Sequence, residues 1–466
     1  MTKANRLVCV SLLCLSSGVA MSVTAGSAVA QSPENIPTMT KLEAATSLAP
    51  MLSRVLPSVV SVLNTGERLK PVTIEPASSS AAAPIEPAAV KEPFQSGGSG
   101  VIIDAEKGII ITNHHVIIDA TRIDVVLSDG RAVEAKLLGA DVGTDVAVLQ
   151  IPLKGLTAVP FGDSNRLKIG DFIAVVGNPF GLEGSASQGI VSALQRSDIG
   201  YGVFEDFIQI DAAVNPGNSG GALVDIEGRL VGINTASGAA KLRTQGIAFA
   251  IPISLARSVA NELIAKGTFK RGTVGLVTEN LGYESAQEMN LMITRGASVK
   301  NVFPGTPAAA AGINKGDVIV AINDKPVRAT SDYNTLVSTT PIGQNVKLQI
   351  VSKTGKRELT IAVSDVAVTP MSETPPMGLT SLNGLTLGAM LPGFKAFGSV
   401  QGVRVLGVSG DMLTKSGLKA DDVITKVDMS TVRSAKDFYE TAGAKMGRYR
   451  LEVYRDGKTL WIWVAA

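Results

Sequence analysis

The sequence predicts a mainly β protein in which a barrel-type domain is followed by two copies of a smaller module. Three observations support this fold class. Short strands separated by turn signals run from Gly97 to Ile253, the first long helical periodicity begins only at Ser254, and one motif recurs at an offset of 105 residues. The length of 466 residues agrees with about three domains.

The first 30 residues have the pattern of a secretory signal peptide. Lys3 and Arg6 give a positive start, a short apolar run covers residues 7–15, and Ala28-Val29-Ala30 offers a cleavage site after Ala30. A retained membrane anchor is the alternative, which the short and interrupted apolar run disfavours. We therefore expect the mature chain to begin at Gln31.

The composition of the chain excludes several kinds of chemistry. Both cysteines, Cys9 and Cys14, lie in the predicted signal peptide, so the mature chain has no disulfide, zinc–cysteine site or thiol nucleophile. Export without disulfides favours the periplasm. Outside residues 1–30 the chain has 41 basic and 41 acidic residues. A net charge of zero provides no long-range attraction to nucleic acid.

The barrel-type domain is assigned to residues 31–268. Within it, residues 64–96 contain five prolines in a run rich in Ala and Ser, which predicts a flexible insertion. Asp129-Gly130 predicts a hairpin turn, and a helix that begins at Ser254 ends before Gly267. The predicted strands cover residues 109–112, 122–127, 145–151, 172–176, 189–194 and 221–233.

The rest of the chain contains a repeat. The segment 311–319 recurs as 416–424 with the same Gly, Asp and apolar positions, and the apolar match continues beyond the turn. We assign one module to residues 269–366, a Pro/Thr/Ser linker to 367–379 and a second module to 380–466. A second local match aligns Val274-Gly275-Leu276 with Leu387-Gly388-Ala389.

The only histidines of the chain, His114 and His115, are adjacent. They follow an apolar run that predicts a strand, where neighbouring side chains point to opposite faces and cannot easily share a metal ion. The lack of cysteine in the mature chain and of an H-E-x-x-H motif also disfavours a metal site. A general base that titrates near neutral pH is the better interpretation.

A candidate nucleophile lies in Gly217-Asn218-Ser219-Gly220-Gly221. Gly217 can adopt a backbone conformation that other residues avoid, so its N–H and that of Ser219 could face one point as an oxyanion hole. A β-turn with an incidental serine is the alternative. Asp145, at the start of an apolar strand, is the candidate carboxylate that would orient the base, although it could also be a loop-capping residue.

These residues belong to segments that together resemble the HtrA/DegP (Do-like) family of serine proteases. The resemblance covers residues 45–466 in the same domain order. It is carried by six segments: Gly98–Asp104, Thr112–Val116, Thr144–Ala147, Gly177–Gly181, Gly189–Ser192 and Asp211–Gly221. It implies a chymotrypsin-like double β-barrel protease domain followed by two PDZ-like α+β domains.

The resemblance also implies residue roles. It places the base on His115, with His114 at a variable position, the orienting carboxylate on Asp145, the nucleophile on Ser219 and the oxyanion hole on the N–H groups of Gly217 and Ser219. It implies no cofactor. Its partners would be unfolded or misfolded envelope proteins, degraded without ATP for protein quality control, and the chain would form homotrimers or larger assemblies, with chaperone activity in some members.

PDZ-like domains pair an extended peptide with a sheet edge and receive its terminal carboxylate on loop N–H groups. By resemblance this loop is Val274, Gly275 and Leu276 in the first module and 386–389 in the second. Peptide binding would be coupled to the order of active-site loops, for which 197–204 and 236–245 are candidates. The second module departs from the first at residues 411–415 and has Asp421 where the first has Gly316, which suggests assembly rather than peptide binding.

The leading hypothesis is a periplasmic serine endopeptidase. A peptide-binding chaperone or scaffold with an inactive protease barrel is the main alternative, and the complete set of serine, histidine and aspartate argues against it. A small-molecule esterase would leave the two repeated modules without a role.

Overall fold

The fold is described from a computed structural model. It describes residues 47–69, 91–179, 184–199, 203–237, 246–288, 290–366, 373–375, 382–392, 394–409, 413, 416–445 and 447–465. The chain divides into two compact units, Met1–Ser47 and Leu48–Ala466, and every helix and strand named here belongs to the second. The predicted signal peptide lies outside the described residues. Within those residues, no helix is long and apolar enough to cross a bilayer.

The first barrel is a seven-stranded antiparallel sheet whose apolar side chains face inward. Its strand order is β5-β4-β1-β2-β3-β7-β6. The strands are β1 Val59–Leu69, β2 Lys91–Asp104, β3 Ile109–Thr112, β4 Ala120–Val126, β5 Ala132–Glu134, β6 Lys136–Asp141 and β7 Val146–Gln150. A helix precedes the sheet, α1 Ala49–Val55, and continues into a 3-10 turn, Leu56–Ser58.

The two ends of the predicted insertion at 64–96 belong to strands β1 and β2. The β1–β2 ladder continues through Asn64↔Ser96 to Leu69↔Lys91, so both ends of the segment are paired strand. The prediction of an unpacked segment was wrong there, because cross-strand hydrogen bonds satisfy the backbone wherever the partner strand is in register. Residues 70–90 lie outside the described part of the chain.

The second barrel is closed and has six strands in the order β10-β13-β12-β11-β8-β9. They are β8 Phe172–Gly177, β9 Ser185–Arg196, β10 Phe207–Ile210, β11 Ala222–Asp225, β12 Leu230–Ser237 and β13 Ala248–Pro252. A 3-10 turn, Ser164–Arg166, precedes them. The predicted strand at 221–233 is a hairpin, because Asp225 accepts the N–H groups of Glu227 and Arg229 and Gly228 has a φ of 83°.

Two helices matter for the barrels. The short helix α2 His114–Ile117 follows β3, and α3 Ile253–Lys266 follows β13. Helix α3 ends as predicted at Gly267, whose φ of 75° places it in the left-handed region. Apolar residues of α3 pack with residues of both barrels in one core. Helix α3 contributes Leu255, Val259 and Leu263, and the barrels contribute, among others, Val101, Val148, Val176 and Ile233.

The two modules share one strand order and one helix between corresponding strands, which agrees with the predicted duplication. The first has β14 Leu276–Asn280, α4 Tyr283–Glu288, β15 Ala297–Val302, α5 Pro307–Ala310, β16 Val318–Ile322, β17 Lys325–Pro326, α6 Thr330–Ser338, β18 Asn345–Ser352 and β19 Gly355–Ala362. The second has β20 Leu385–Gly388, β21 Val403–Val408, β22 Val423–Val427, β23 Ser430–Thr431, α7 Ala435–Gly443, β24 Arg448–Arg455 and β25 Lys458–Ala465. Strand orders β14-β15-β16-β18-β19 and β20-β21-β22-β24-β25 correspond one to one.

The alignment of Gly275 with Gly388 was wrong by four residues. Leu276 pairs with Val302 and Leu385 pairs with Val408, each at the end of the next strand. Gly275 and Gly384 have φ values of 92° and 89°, so Gly384 is the counterpart of Gly275. The short local match misled because the strand ladder, rather than a Gly-Leu dipeptide, sets the register.

Candidate active site

His115 and Asp145 form a close hydrogen-bonded pair. His115 Nδ1 lies 2.8 Å from Asp145 Oδ2, and the His115 backbone N–H donates to Asp145 Oδ1 at 2.9 Å. The two histidines lie on helix α2, so the prediction of a strand at this point was wrong. The chain leaves β3 through Asn113, which is extended, and then turns into the helix. This turn brings the backbone of His115 onto the Asp145 carboxylate.

The backbone around Asp145 holds the carboxylate in place. Asp145 is buried, and its φ of 58° lies in the left-handed region that Asp tolerates better than most residues. Its carbonyl accepts the His114 N–H at 3.2 Å and Asn113 Nδ2 at 3.0 Å. Thr235 Oγ1 donates a further hydrogen bond to Asp145 Oδ2 at 2.7 Å. The carboxylate therefore has donors from both barrels.

Burial and charge act in opposite directions on the two histidines. Burial lowers the pKa of His115, but the hydrogen bond and the charge of Asp145 outweigh it and raise that pKa above the ordinary value of 6.5. For His114 burial dominates over the attraction of Asp145, and the pKa is lowered. Burial therefore disfavours the protonated form of His114, whereas Asp145 stabilises the protonated form of His115.

The loop that carries Ser219 is a tight turn braced by Ser99. Gly217 and Gly220 have φ values of 96° and 83°, and an added Cβ would lie 2.4 Å from Pro179 and 2.1 Å from the Ser99 carbonyl oxygen, respectively. Ser99 Oγ donates to the Gly217 carbonyl at 2.6 Å, and the Ser99 N–H donates to the Ser219 carbonyl at 2.7 Å. Both glycines are therefore required by sterics, as expected for the first.

The N–H groups of Gly217 and Ser219 donate to no other described residue. The Asn218 carbonyl accepts the Gly221 N–H at 3.0 Å. Because the C=O and N–H of a trans peptide point in opposite directions, the Ser219 N–H is turned away from that turn. The predicted oxyanion donors are therefore available for a ligand oxygen.

The Ser219 hydroxyl is directed at the second barrel. Its Oγ donates to the Thr235 carbonyl oxygen at 3.0 Å, and no hydrogen bond to His115 is formed. Thr235 thus binds Asp145 through its side chain and Ser219 through its backbone. No sequence pattern singles out Thr235, and Ser99 lies in a family segment without an assigned role. Neither contact leaves a local signal, since the partners are 90 and 118 residues apart in the chain.

The predicted peptide-binding residues lie at the start of β14, an edge strand. Val274 and Leu276 are buried, and the Gly275 N–H donates to Thr273 Oγ1 at 2.9 Å. An added Cβ on Gly275 would lie 2.2 Å from Thr306. A bulky residue here would therefore distort the loop itself. The candidate loops 197–204 and 236–245 lie largely outside the described residues, which omit 200–202 and 238–245.

A metal site is not apparent in the described ranges, where no group of three His, Cys, Asp or Glu side chains could hold an ion. The arrangement instead provides an imidazole with one nitrogen on a carboxylate, a serine hydroxyl and two N–H groups that have no acceptor among the described residues. These are the parts of an acyl-transfer site.

Comparisons with known proteins agree with this chemistry. Residues 98–233 match the trypsin-like peptidase domain family and residues 275–363 match the PDZ domain family. The chain is 39% identical over 467 residues to the periplasmic pH-dependent serine endoprotease DegQ of Escherichia coli K12, covering 99% of each protein. It is 35% identical over 477 residues to the periplasmic serine endoprotease DegP of the same strain, covering 97% of this chain and 98% of DegP.

The chain is also similar to solved structures of HtrA-type proteases. The HtrA-type protease AlgW with a decapeptide is similar with a TM-score of 0.51 and 38% identity, covering 69% of this chain and 100% of AlgW. Fold and comparisons define a serine endopeptidase with a trypsin-like protease domain followed by two PDZ domains, as predicted. The chain belongs to the HtrA/DegP (Do-like) family of serine proteases. These relationships favour the protease over a scaffold with an inactive barrel.

Proposed function

We propose that Ser219, His115 and Asp145 form the catalytic triad of this endopeptidase. The observation that supports it best is the 2.8 Å contact between His115 Nδ1 and Asp145 Oδ2, which leaves Nε2 as the nitrogen available to a serine. Ser219 Oγ turns from the Thr235 carbonyl to His115 when substrate binds. The absence of other donors to the imidazole from the described residues leaves that nitrogen accessible.

The geometry implies the following steps. Ser219 Oγ attacks the peptide carbonyl carbon, and its proton passes to His115 Nε2. The N–H groups of Gly217 and Ser219 stabilise the oxyanion. When the C–N bond breaks, His115 gives the proton to the leaving amine. Water, deprotonated by His115, then cleaves the acyl-enzyme ester and releases the second product and the free Ser219 hydroxyl.

The proposed substrates are misfolded or damaged proteins of the cell envelope, with chaperone activity as an additional role. The relatives named above are periplasmic endoproteases, and a trypsin-like domain joined to PDZ domains fits substrates that are themselves proteins. We also propose peptide C-termini as ligands of Val274, Gly275 and Leu276, and a homotrimer or larger homo-oligomer as the working form.

Degradation of casein by the mature chain and by Ser219→Ala tests this proposal. Loss of a serine nucleophile costs about 10^6-fold in kcat in another serine protease, so the variant should show no measurable cleavage while it stays folded. The matched control is Ser187→Ala, which removes an exposed hydroxyl bonded to the Ala213 carbonyl in the same barrel. Casein cleavage by folded Ser219→Ala at the wild-type rate would refute the triad.

Export is part of the same proposal. The mature protein should be found in the periplasm and begin at Gln31, after removal of residues 1–30. N-terminal sequencing of protein isolated from the cell envelope checks this. A chain that still begins at Met1 would contradict the signal-peptide assignment and leave the protease assignment untouched.

A further inference from the structure

The predicted linker does not simply connect the two modules. The Glu373 N–H donates to the Leu387 carbonyl at 2.7 Å, and the Leu387 N–H donates to the Glu373 carbonyl at 2.9 Å. This exchange of two hydrogen bonds is the pairing of an antiparallel sheet. Leu387 lies on β20, the edge strand of the second module. Glu373 therefore adds a single antiparallel bridge to the edge of that sheet.

Helix α7 contacts the same linker residue from the other side. The hydroxyl of Tyr439, a buried residue of α7, donates to the Glu373 carbonyl at 3.0 Å. That carbonyl thus accepts from Leu387 and from Tyr439, which uses both of its lone pairs. The Glu373 backbone lies between the edge strand and the helix. This is the place where a PDZ domain holds an extended peptide by strand addition.

The side chain of Glu373 reaches the first module. Its Oε1 lies 3.2 Å from Lys300 Nζ on β15, and both side chains are partly exposed. An ion pair of this kind contributes little stability, so the backbone bonds and Tyr439 carry most of the attachment.

The first module has no equivalent attachment. The counterpart of Leu387 is Thr278, because Thr278 pairs with Val299 as Leu387 pairs with Val405. Among the described residues, no further strand pairs with the outer edge of β14. At the position of Tyr439 the first module has Asn334, which is exposed. Within the described part of the chain, the edge of β14 is therefore open, and the edge of β20 is occupied.

We propose that Glu373–Pro375 is a built-in ligand of the second module and excludes client peptides from its groove. A tethered segment has an effective concentration on the order of millimolar, so a free peptide at micromolar concentration competes poorly. The claim that client peptides are excluded rests on the proposed function, in which the first module binds peptide C-termini. The claim that Glu373–Pro375 occupies the groove does not depend on it. The second module would bind a peptide C-terminus only after Glu373–Pro375 dissociates from the groove.

Two proline variants of the mature chain separate the linker pairing from other effects. Glu373→Pro removes the N–H that donates to Leu387. Thr374→Pro places the same residue one position further, at an exposed site whose N–H donates to no described backbone carbonyl. Each variant adds one proline to the linker, but only the first removes the N–H that pairs with Leu387.

The first measurement is amide hydrogen exchange at Leu387. We expect exchange about tenfold faster in Glu373→Pro than in wild type, because loss of one backbone hydrogen bond has about that effect, and no change in Thr374→Pro. Amides of β22 report whether the module stays folded. Equal exchange at Leu387 in both variants would overturn the occupancy.

The second measurement is the anisotropy of a labelled hydrophobic peptide with a free carboxylate, on a Gly275→Val background that distorts the first loop. Adding Glu373→Pro should tighten peptide binding by about tenfold, and adding Thr374→Pro should not. No gain with Glu373→Pro would overturn the claim that the linker competes with peptides. If Gly275→Val alone bound peptide as wild type does, the proposed carboxylate loop would fail, and the exchange result at Leu387 would still decide the occupancy.

Discussion

The two barrels contribute differently to the proposed active site: one contribution is already assembled, and the other is not. The first barrel supplies His115 and Asp145 already joined by two hydrogen bonds, one from the ring and one from the backbone. The second supplies Ser219, whose hydroxyl is bonded to Thr235 and not to the imidazole. The turn before β7 and helix α2 fix the His115–Asp145 pair. In the proposed mechanism, Ser219 has to exchange its hydrogen bond to Thr235 before it can react.

Thr235 is the residue that connects the two halves. Its side chain donates to Asp145, and its carbonyl accepts from Ser219. In the proposed triad, His115 and Asp145 are therefore already paired, whereas Ser219 has to exchange its hydrogen bond to Thr235 for one to His115. Variants of the first barrel should remove the proposed base or shift its pKa. Variants around Thr235 should change how efficiently Ser219 and the His115–Asp145 pair act together.

The largest effect is expected from the two adjacent histidines. His115→Ala should lower kcat by about 10^6-fold, as loss of the base does in another serine protease. His114→Asn should retain most of the activity, because only the His114 backbone N–H takes part, by its bond to the Asp145 carbonyl. Casein cleavage rates of the two variants provide the measurement. The reverse order of the two effects would move the base to His114.

A smaller loss is expected from Asp145→Asn, about 10^4-fold in kcat by comparison with another triad. The pH profile makes this variant informative. His115 acts as a base only when neutral, so activity falls as the pH drops through its pKa, which Asp145 raises above 6.5. Without that charge, burial lowers the pKa, and the acid limb of kcat/KM should move to lower pH. An unmoved limb would contradict the pairing.

The smallest effect is expected from Thr235→Val. This change removes the hydroxyl that donates to Asp145 but keeps the β-branched shape and the carbonyl that accepts from Ser219. Loss of one hydrogen bond to a charged group predicts a decrease in kcat of about tenfold or more, with KM little changed. Thr121→Val is the matched control, because its hydroxyl bonds the Thr65 carbonyl at an exposed site of the first barrel. Equal activity of the two variants would remove Thr235 from the site.

The sequence predicted those parts of the site that depend on local backbone chemistry. Gly217 and Ser219 were proposed because a tight turn needs glycine, and Asp145 because it begins an apolar strand; the structure places Gly217 in such a turn and Asp145 just before β7. His115 was assigned as the base from the family resemblance, and the two histidines lie on helix α2 rather than on a strand. Thr235 and Ser99 act through contacts across the barrels, which no local pattern reveals.

The fold was predictable to a similar degree. Apolar strand segments and turn signals located β3, β4, β7, β8 and β9 and, as a single segment, β11 and β12, but not β2, β5, β6, β10 and β13. The 105-residue offset located the repeated module. The register of the second module was missed, because Gly384 is recognised only when Leu385 is seen to pair with Val408. The pairing of Glu373 with Leu387 was missed for a related reason: a Pro/Thr/Ser-rich segment carries no sign of the strand edge that receives it.

The central claim is that Ser219 is a nucleophile activated by His115. A fluorophosphonate probe tests it directly, since an activated serine oxygen displaces fluoride from phosphorus and the adduct survives peptide mapping. Mass spectrometry of the labelled mature chain should find the adduct on Ser219 in wild type and in His114→Asn, and strongly slowed labelling in His115→Ala. Folded wild-type protein that degrades casein but carries its adduct on another residue would contradict the claim.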